Sequence, residues 1–261
     1  MKKILCAVMI LVLMFSFSAC GSLIRRGIAD ALDDASNSQS SSSEKSSSSS
    51  NGKASSPSDS YGKYTEMKGI AYEKLNGKIY DNSEVLMTVG MTLMPIAFID
   101  LTLIPLTMIG SEGGAAALAM LGMQNVDIKQ NGNTYTVTYN TDESTITQTC
   151  EYDASSDSIR SVMSEDGNSL ESLVFEYARS GDGYVSQYAT YEEEKGGYSL
   201  IKMYFNADGD MTLGVDSQSG LPDSIYKKSG LGSDFAKNDS FYLMLDGDSL
   251  TVLSNGETKT Y

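Results

Sequence analysis

The fold is decided by the stretch TYTVTYNTDESTITQTCEYD, residues 134–153. Its apolar side chains alternate with polar ones on both sides of a polar break: Tyr135, Val137 and Tyr139 before it, then Ile146, Cys150 and Tyr152 after it, with Gln148 at the remaining alternate position. Successive side chains of a β-strand point to opposite faces, so this period of two predicts two strands with one buried face.

The same alternation continues to residue 261. Further runs have alternating apolar positions at Leu173-Phe175-Tyr177, Ile201-Met203-Phe205, Met211-Leu213-Val215 and Phe241-Leu243-Leu245. Between the runs lie dipeptides that favour tight hairpins, namely Asn131-Gly132, Asp166-Gly167, Asp182-Gly183, Gly196-Gly197, Asp208-Gly209, Asp246-Gly247 and Asn255-Gly256. We therefore predict that residues 125–261 form about ten antiparallel strands connected up and down.

Residues 61–124 have a helical pattern instead. A first helix is predicted over residues 64–80, with an apolar side formed by Met67, Ile70, Ala71 and Leu75. Asn82 or Ser83 is predicted to cap a second helix with Glu84 in its first turn. A short alanine-rich helix is predicted to begin near Ser111 and Glu112 and to stop at Gly122.

The second helical region contains an unusually apolar run, Leu86–Gly110, whose one ionisable residue is Asp100. Its length would allow it to span a bilayer. However, Asp100 is costly at mid-span, and Pro95 and Pro105 divide the run into pieces of about ten residues. Lysines also cluster before the run and not directly after it. In an exported chain the residues before the run would lie outside the cell, whereas basic residues favour the inner side of a membrane. We interpret the run as a buried helical segment and keep a membrane segment as the alternative.

Together these patterns predict an α+β fold, mainly antiparallel β, with an N-terminal helical layer packed on a curved meander. We expect residues 86–122 to cover the apolar face of the sheet, because they form the largest apolar block outside it. This arrangement resembles the half-barrels of LolA-type lipoprotein carriers, in which a helical lid fills a concave sheet. The likeness is one of architecture and includes no shared motif.

The N-terminus, MKKILCAVMILVLMFSFSAC, is typical of a secretory signal, with two lysines, an apolar run and small residues before Cys20. Residues 17–21, Phe-Ser-Ala-Cys-Gly, resemble the lipobox of bacterial lipoproteins, although Phe17 stands where leucine is usual. The resemblance implies cleavage before Cys20 and lipidation of its sulfur, including palmitate. The alternative is an ordinary secretory signal with a chance cysteine.

The chain is accordingly divided into a signal peptide, residues 1–19, a lipidated N-terminus and serine-rich tether, residues 20–60, and a single folded domain, residues 61–261. The tether has too little apolar content to fold. The predicted location is the outer side of a cell membrane, or the periplasm or outer membrane, and the membrane is the predicted partner through the lipid on Cys20.

Composition excludes several functions. The formal charge is -15, which disfavours binding to nucleic acid. The chain has no histidine, which removes Ser-His-Asp and Cys-His catalysis and the usual zinc sites. Cys150 lies in an alternating run, so we interpret it as a small buried residue rather than a nucleophile.

The remaining candidates for chemistry are weak, and we predict no catalytic residue, metal or cofactor. Asn206, Asp208 and Asp210 have the spacing of a calcium loop, but Met211 stands where that loop needs glycine, so a hairpin turn is the better interpretation. Residues 192–194, three glutamates, are interpreted as a solvated strand end. Asp100 is predicted to be hydrogen-bonded at a helix start or exposed at a turn, with a functional role as the lesser alternative.

Three functions follow from these observations. The first is a non-catalytic envelope lipoprotein that acts as a binding or interaction module, with an apolar compound or an envelope protein as the candidate ligand and the ligand-binding residues unknown. The second is an envelope hydrolase that uses paired carboxylates. The third is a lipoprotein with an additional membrane-inserted segment at residues 86–110.

Overall fold

The computed structural model describes residues 56–261 apart from positions 81, 82, 112, 169 and 239. Cys20, most of the tether, and the predicted caps at Asn82 and Glu112 lie outside the described residues. Residues 54–261 form one compact unit.

Helix α1, Pro57–Ile79, begins earlier than predicted. The hydroxyl of Ser56 caps it by accepting a 3.1 Å hydrogen bond from the Asp59 backbone N–H, and Pro57 occupies the first turn, where its missing N–H has no cost. Ser60, which we assigned to the tether, is therefore a buried residue of the folded domain. Serine content alone gave no sign that the last serines start a helix.

Helix α2, Ser83–Thr102, passes through Pro95 without ending. The prediction that Pro95 divides the apolar run is wrong. A proline inside a helix costs about 3 kcal/mol, but the turns on both sides bury Leu93 and Ile96, and that packing offsets the lost backbone hydrogen bond. Helix α2 does end before Pro105, which lies in the first turn of a 3₁₀ helix, Ile104–Thr107. Helix α3, Gly114–Met120, follows.

The strands form one antiparallel sheet in which each strand pairs with its neighbours in sequence. The described strands are β1 Gln124–Asn131, β2 Thr134–Asn140, β3 Thr145–Asp153, β4 Ser158–Glu165, β5 Leu173–Ser180, β6 Gly183–Glu192, β7 Gly197–Phe205, β8 Met211–Gln218, β9 Phe241–Asp246, β10 Ser249–Ser254 and β11 Glu257–Thr260. The α+β class and the up-and-down meander are confirmed, with eleven strands in the described part and an unclosed sheet.

Two turns show why the dipeptides predicted hairpins and where they misled. Asn255 and Gly256 have φ angles of 53° and 77°, as a two-residue hairpin of the favoured hand requires. Gly183 instead lies inside strand β6, where a Cβ would come within 2.1 Å of the Phe205 carbonyl oxygen. At that position glycine permits close backbone approach rather than a positive φ.

Helix α1, not the apolar run, covers the centre of the sheet. Tyr64 is fully buried, and its ring lies within 4.6–5.8 Å of four aromatic rings on strands β5 to β7: Phe175, Tyr177, Tyr184 and Phe205. The prediction that residues 86–122 provide this cover is therefore wrong. The nine buried residues of α1 include three tyrosines, Ser60 and Lys68, so the mean hydropathy of the helix does not mark it as the core.

The opposite face of the central strands is also covered. The connection between β8 and β9 includes a second 3₁₀ helix, Ser233–Ala236, and places Ile225 against Ala178 and Val185. Leu231 and Phe235 from the same connection pack on this cluster. Here the sheet is buried on both faces, whereas the alternation predicted a polar outer side.

Candidate functional site

The outer side of α2 is the first candidate, because it presents large apolar side chains to solvent. Met87, Met91, Phe98 and Leu101 are 59%, 64%, 61% and 49% exposed. We call these four residues the α2 apolar face. Their spacing of four, seven and three positions places them on one side of a helix.

The inner side of the same helix packs on the domain. Val85, Val89, Leu93 and Ile96 are buried there. Only 22% of the segment Val85–Thr102 is buried. Its mean hydropathy of 1.8 and its length of 18 residues are enough for a helix that crosses a membrane. Within the predicted buried segment, α2 is thus buried along one side alone, because α1 already occupies the centre of the sheet. Leu103, Leu106 and Ile109, which follow α2 in the same segment, are fully buried as predicted.

The second candidate is a buried polar cluster beneath α2. The Lys68 ammonium donates a hydrogen bond of 2.5 Å to Asp100 Oδ2 and one of 3.2 Å to the Tyr188 hydroxyl. It also lies 5.6–5.7 Å from the centres of the rings of Tyr64, Tyr72 and Tyr188. Lysine is almost never buried without a partner, and the Lys68 side chain is only 7% exposed.

Asp100 therefore has a role that we did not predict. It is neither at a helix start nor free at a turn, since it is the counter-ion of Lys68 and ties α2 to α1. The sequence contains one indication of where Lys68 lies. Tyr64, Lys68 and Tyr72 recur every four residues, so they share one side of α1. Our predicted apolar side was Met67, Ile70, Ala71 and Leu75. Ala71 and Leu75 are buried, but Ile70 is 44% exposed, so the predicted side is only partly the buried one.

Hydroxyl groups extend the cluster into the sheet. The Tyr64 hydroxyl donates to Ser186 Oγ at 3.0 Å and lies 2.8 Å from the Tyr188 hydroxyl. Burial, and then the negative charge of Asp100, raise the pKa of both tyrosines far above their ordinary value. These phenols are neutral at physiological pH, so they serve as hydrogen-bonding groups rather than as bases.

A neighbouring network fixes the start of α1 to the sheet. Asp157 accepts hydrogen bonds from the Ser60 hydroxyl at 2.6 Å and from the Tyr184 hydroxyl at 2.8 Å. The Tyr177 hydroxyl lies 2.6 Å from Ser60 Oγ. The two contacts of Ser60 join residues 97 and 117 positions apart, so the sequence alone could not indicate them.

On the opposite face of the sheet, a buried carboxylate fixes the long connection between β8 and β9. Glu176 is paired with Arg160 Nε at 3.1 Å and accepts hydrogen bonds from Gln187 Nε2, Ser224 Oγ and the Ile225 backbone N–H. With two partners from the connection itself, Glu176 holds that segment against the strands. Its oxygens are already occupied, so the group has a structural role.

The sequence candidates for chemistry do not come together. Asn206 Oδ1 accepts from the backbone N–H groups of Asp208 and Asp210, as in a turn, and Asp210 pairs with Lys74 on α1 at 2.6 Å. Residues 193–194 are exposed, and Glu192 pairs with Lys195. Within the described ranges no group of three or more carboxylate or thiol side chains is placed to hold a metal.

Cys150 is fully buried on β3. Burial, and then the charge of Glu151, raise the pKa of its thiol well above the ordinary value. A thiol that stays protonated is a poor nucleophile. This geometry agrees with the prediction of a small buried residue.

The space beneath the sheet contains side chains of α1. Tyr61, Tyr64 and Tyr72 fill it and are 0–4% exposed. Two hollows of about 200 and 270 Å³ lie elsewhere, one between α2 and strands β10 and β11, the other at the β6–β7 turn. The α2 apolar face is therefore the strongest candidate for contact with another molecule.

Comparison with known proteins adds no family: the chain matches no protein-family model, no curated protein and no solved structure. The architectural resemblance to LolA-type carriers stays a prediction.

Proposed function

We propose that this chain is a cell-envelope lipoprotein, anchored by lipid on Cys20, whose domain acts as a non-catalytic binding or interaction module. The observation that carries the proposal is the α2 apolar face. Large apolar side chains grouped on the surface of a folded domain mark a place where another surface binds. The lipobox-like sequence at residues 17–21 supports the location.

The buried cluster supports a non-catalytic role. Lys68 and Asp100 satisfy each other, and the tyrosines around them are held neutral. A general base must be within hydrogen-bonding reach of its substrate, and this cluster lies beneath a helix. The group therefore acts as an internal support that positions α2.

Metabolic labelling with palmitate tests the anchor. The chain expressed in a bacterial host should incorporate label, Cys20→Ala should abolish it, and Cys150→Ala should leave it unchanged. Cys150 is the matched control because it is the other cysteine that remains after removal of the signal. Label in Cys20→Ala, or none in the unaltered chain, would refute the anchor.

Site-specific photo-crosslinking tests the surface. A photoreactive amino acid replaces Met91 in one version of the full chain and Leu221 in the other. Leu221 is the control, since it is 42% exposed and lies outside α2. We expect crosslinked products in living cells from position 91 and not from position 221. Equal yields at both positions would contradict an interaction role for α2.

A further inference from the structure

We infer that the α2 apolar face lies on a lipid bilayer, with the helix parallel to the membrane surface. The inference rests on the proposed function, because it assigns the bilayer that holds Cys20 as the binding partner. Residues 83–102 would then form an interfacial helix whose outer side chains enter the boundary between head groups and acyl chains.

The distribution of charge on α2 favours lipid as the partner. Asp100 is the one ionisable side chain in the window Val85–Thr102, and it is turned toward Lys68. The four side chains of the α2 apolar face carry no charge, although the chain as a whole has a net charge of -15. Contact with acyl chains is costly for an ionised group, and the Lys68 pair keeps the carboxylate on the protein side.

The packing of α2 favours a helix that lies on the membrane rather than one that spans it. Its inner side chains, among them Val89 and Ile96, are fully buried in the domain. A spanning helix would have to leave α1, which would expose these residues and separate Asp100 from Lys68. A helix that lies on the membrane keeps its inner apolar side against the domain and places its outer apolar side on the bilayer. Neither contact then requires the domain to unfold.

The chain also enters the domain next to Gly110, which lies eight residues beyond the end of α2. Pro57 Cδ lies 3.5 Å from the position that a Cβ on Gly110 would occupy, and Gly110 follows shortly after α2 and the first 3₁₀ helix. Residues 36–56, the part of the predicted serine-rich coil that precedes α1, would have a root-mean-square span of about 23–27 Å. A lipid on Cys20 would keep the α2 apolar face near the bilayer at an effective concentration of about millimolar.

The test uses tryptophan as a probe, because the chain has none. Two full-length lipidated versions, Phe98→Trp and Leu221→Trp, are reconstituted into phosphatidylcholine vesicles with and without lipids carrying a doxyl quencher on the acyl chain. Both positions are exposed, so neither substitution disturbs the core. Circular dichroism of each variant confirms an unchanged fold.

We expect a blue-shifted emission and at least about twofold quenching for Phe98→Trp, because the apolar side of an interfacial helix enters the acyl boundary. Leu221→Trp should keep the emission of a water-exposed indole and show little quenching. Emission from Phe98→Trp that matches Leu221→Trp would overturn the inference. A blue shift without quenching would also overturn it, since it would indicate a second copy or another protein on this face.

The mass of the same preparations separates this inference from the proposed function. A chain without lipid on Cys20 would refute both. A lipidated chain whose Phe98→Trp indole remains in water would refute the bilayer contact and leave the anchor intact.

Discussion

Replacing Asp100 with alanine should destabilise the domain strongly, because the Lys68 ammonium would lose its only carboxylate within ion-pair distance among the described residues. The remaining partners would be the Tyr188 hydroxyl at 3.2 Å and three ring faces. Removing one partner of a buried pair costs about 3–5 kcal/mol. The Asp100 side chain is 26% exposed, so water can replace part of it, and we expect about 3 kcal/mol.

The matched control is the pair formed by Lys78, also on α1, and Asp248. Their charged atoms are 2.8 Å apart, but the Asp248 side chain is 96% exposed. Exposed pairs contribute little, so Asp248→Ala should change the free energy of unfolding far less than Asp100→Ala does. The two lysines thus differ mainly in burial.

Urea denaturation of residues 54–261, followed by circular dichroism, measures these differences. The double variant Lys68→Met/Asp100→Leu should be within about 1 kcal/mol of the unaltered domain, since apolar replacement of both partners removes the stranded charge. The reasoning would be refuted if Asp100→Ala cost no more than Asp248→Ala, or if the double variant were less stable than Asp100→Ala alone.

Three further predictions concern single side chains. Tyr64→Phe should cost about 1–3 kcal/mol in urea denaturation by leaving buried partners unpaired, whereas Tyr80→Phe, at an exposed position, should be neutral; equal effects would contradict this. Burial raises the pKa of Asp210, but the hydrogen bonds from Lys74 and the Gly247 backbone outweigh it and lower the pKa. Asp210 should therefore stabilise the domain above about pH 4 and lose that contribution as the pH falls. Asp210→Asn should then flatten the acid side of a plot of unfolding free energy against pH. An unchanged plot would refute this role of Asp210. Cys150 should react with a thiol reagent only after denaturation, and rapid reaction in the native state would show that β3 is open.

The sheet could be predicted from sequence because its rules are local. Alternation sets which side chains share a face, and residues such as Asn255 and Gly256 set the hairpin turns. The strand order follows, since neighbours in sequence pair when the turns are short. The buried polar groups on the face of the sheet opposite α1 could not be predicted. The hydrogen bonds to Glu176 come from Ser224 and Ile225, nearly fifty positions away in the sequence.

The helical layer was predicted with the two helices in the wrong roles. Hydropathy indicated the run Leu86–Gly110 as the core. Instead α1 occupies that place through tyrosines and Lys68, whose large rings and long stem pack on the sheet while their polar ends find partners. Asp100 was noticed as an exception in an apolar run. Its partner, Lys68, could not be identified from sequence, because the ion pair joins two different helices.

Hydrogen exchange along α1 and α2 tests the central claim, that α1 is the core and α2 an outer layer with a free apolar side. For residues 54–261 in solution, amides between Tyr64 and Leu75 should exchange far more slowly than those between Met87 and Phe98. Phosphatidylcholine vesicles should then slow exchange in α2 while leaving α1 unchanged. Protection of α2 equal to that of α1 before vesicles are added, with no change afterwards, would contradict the account.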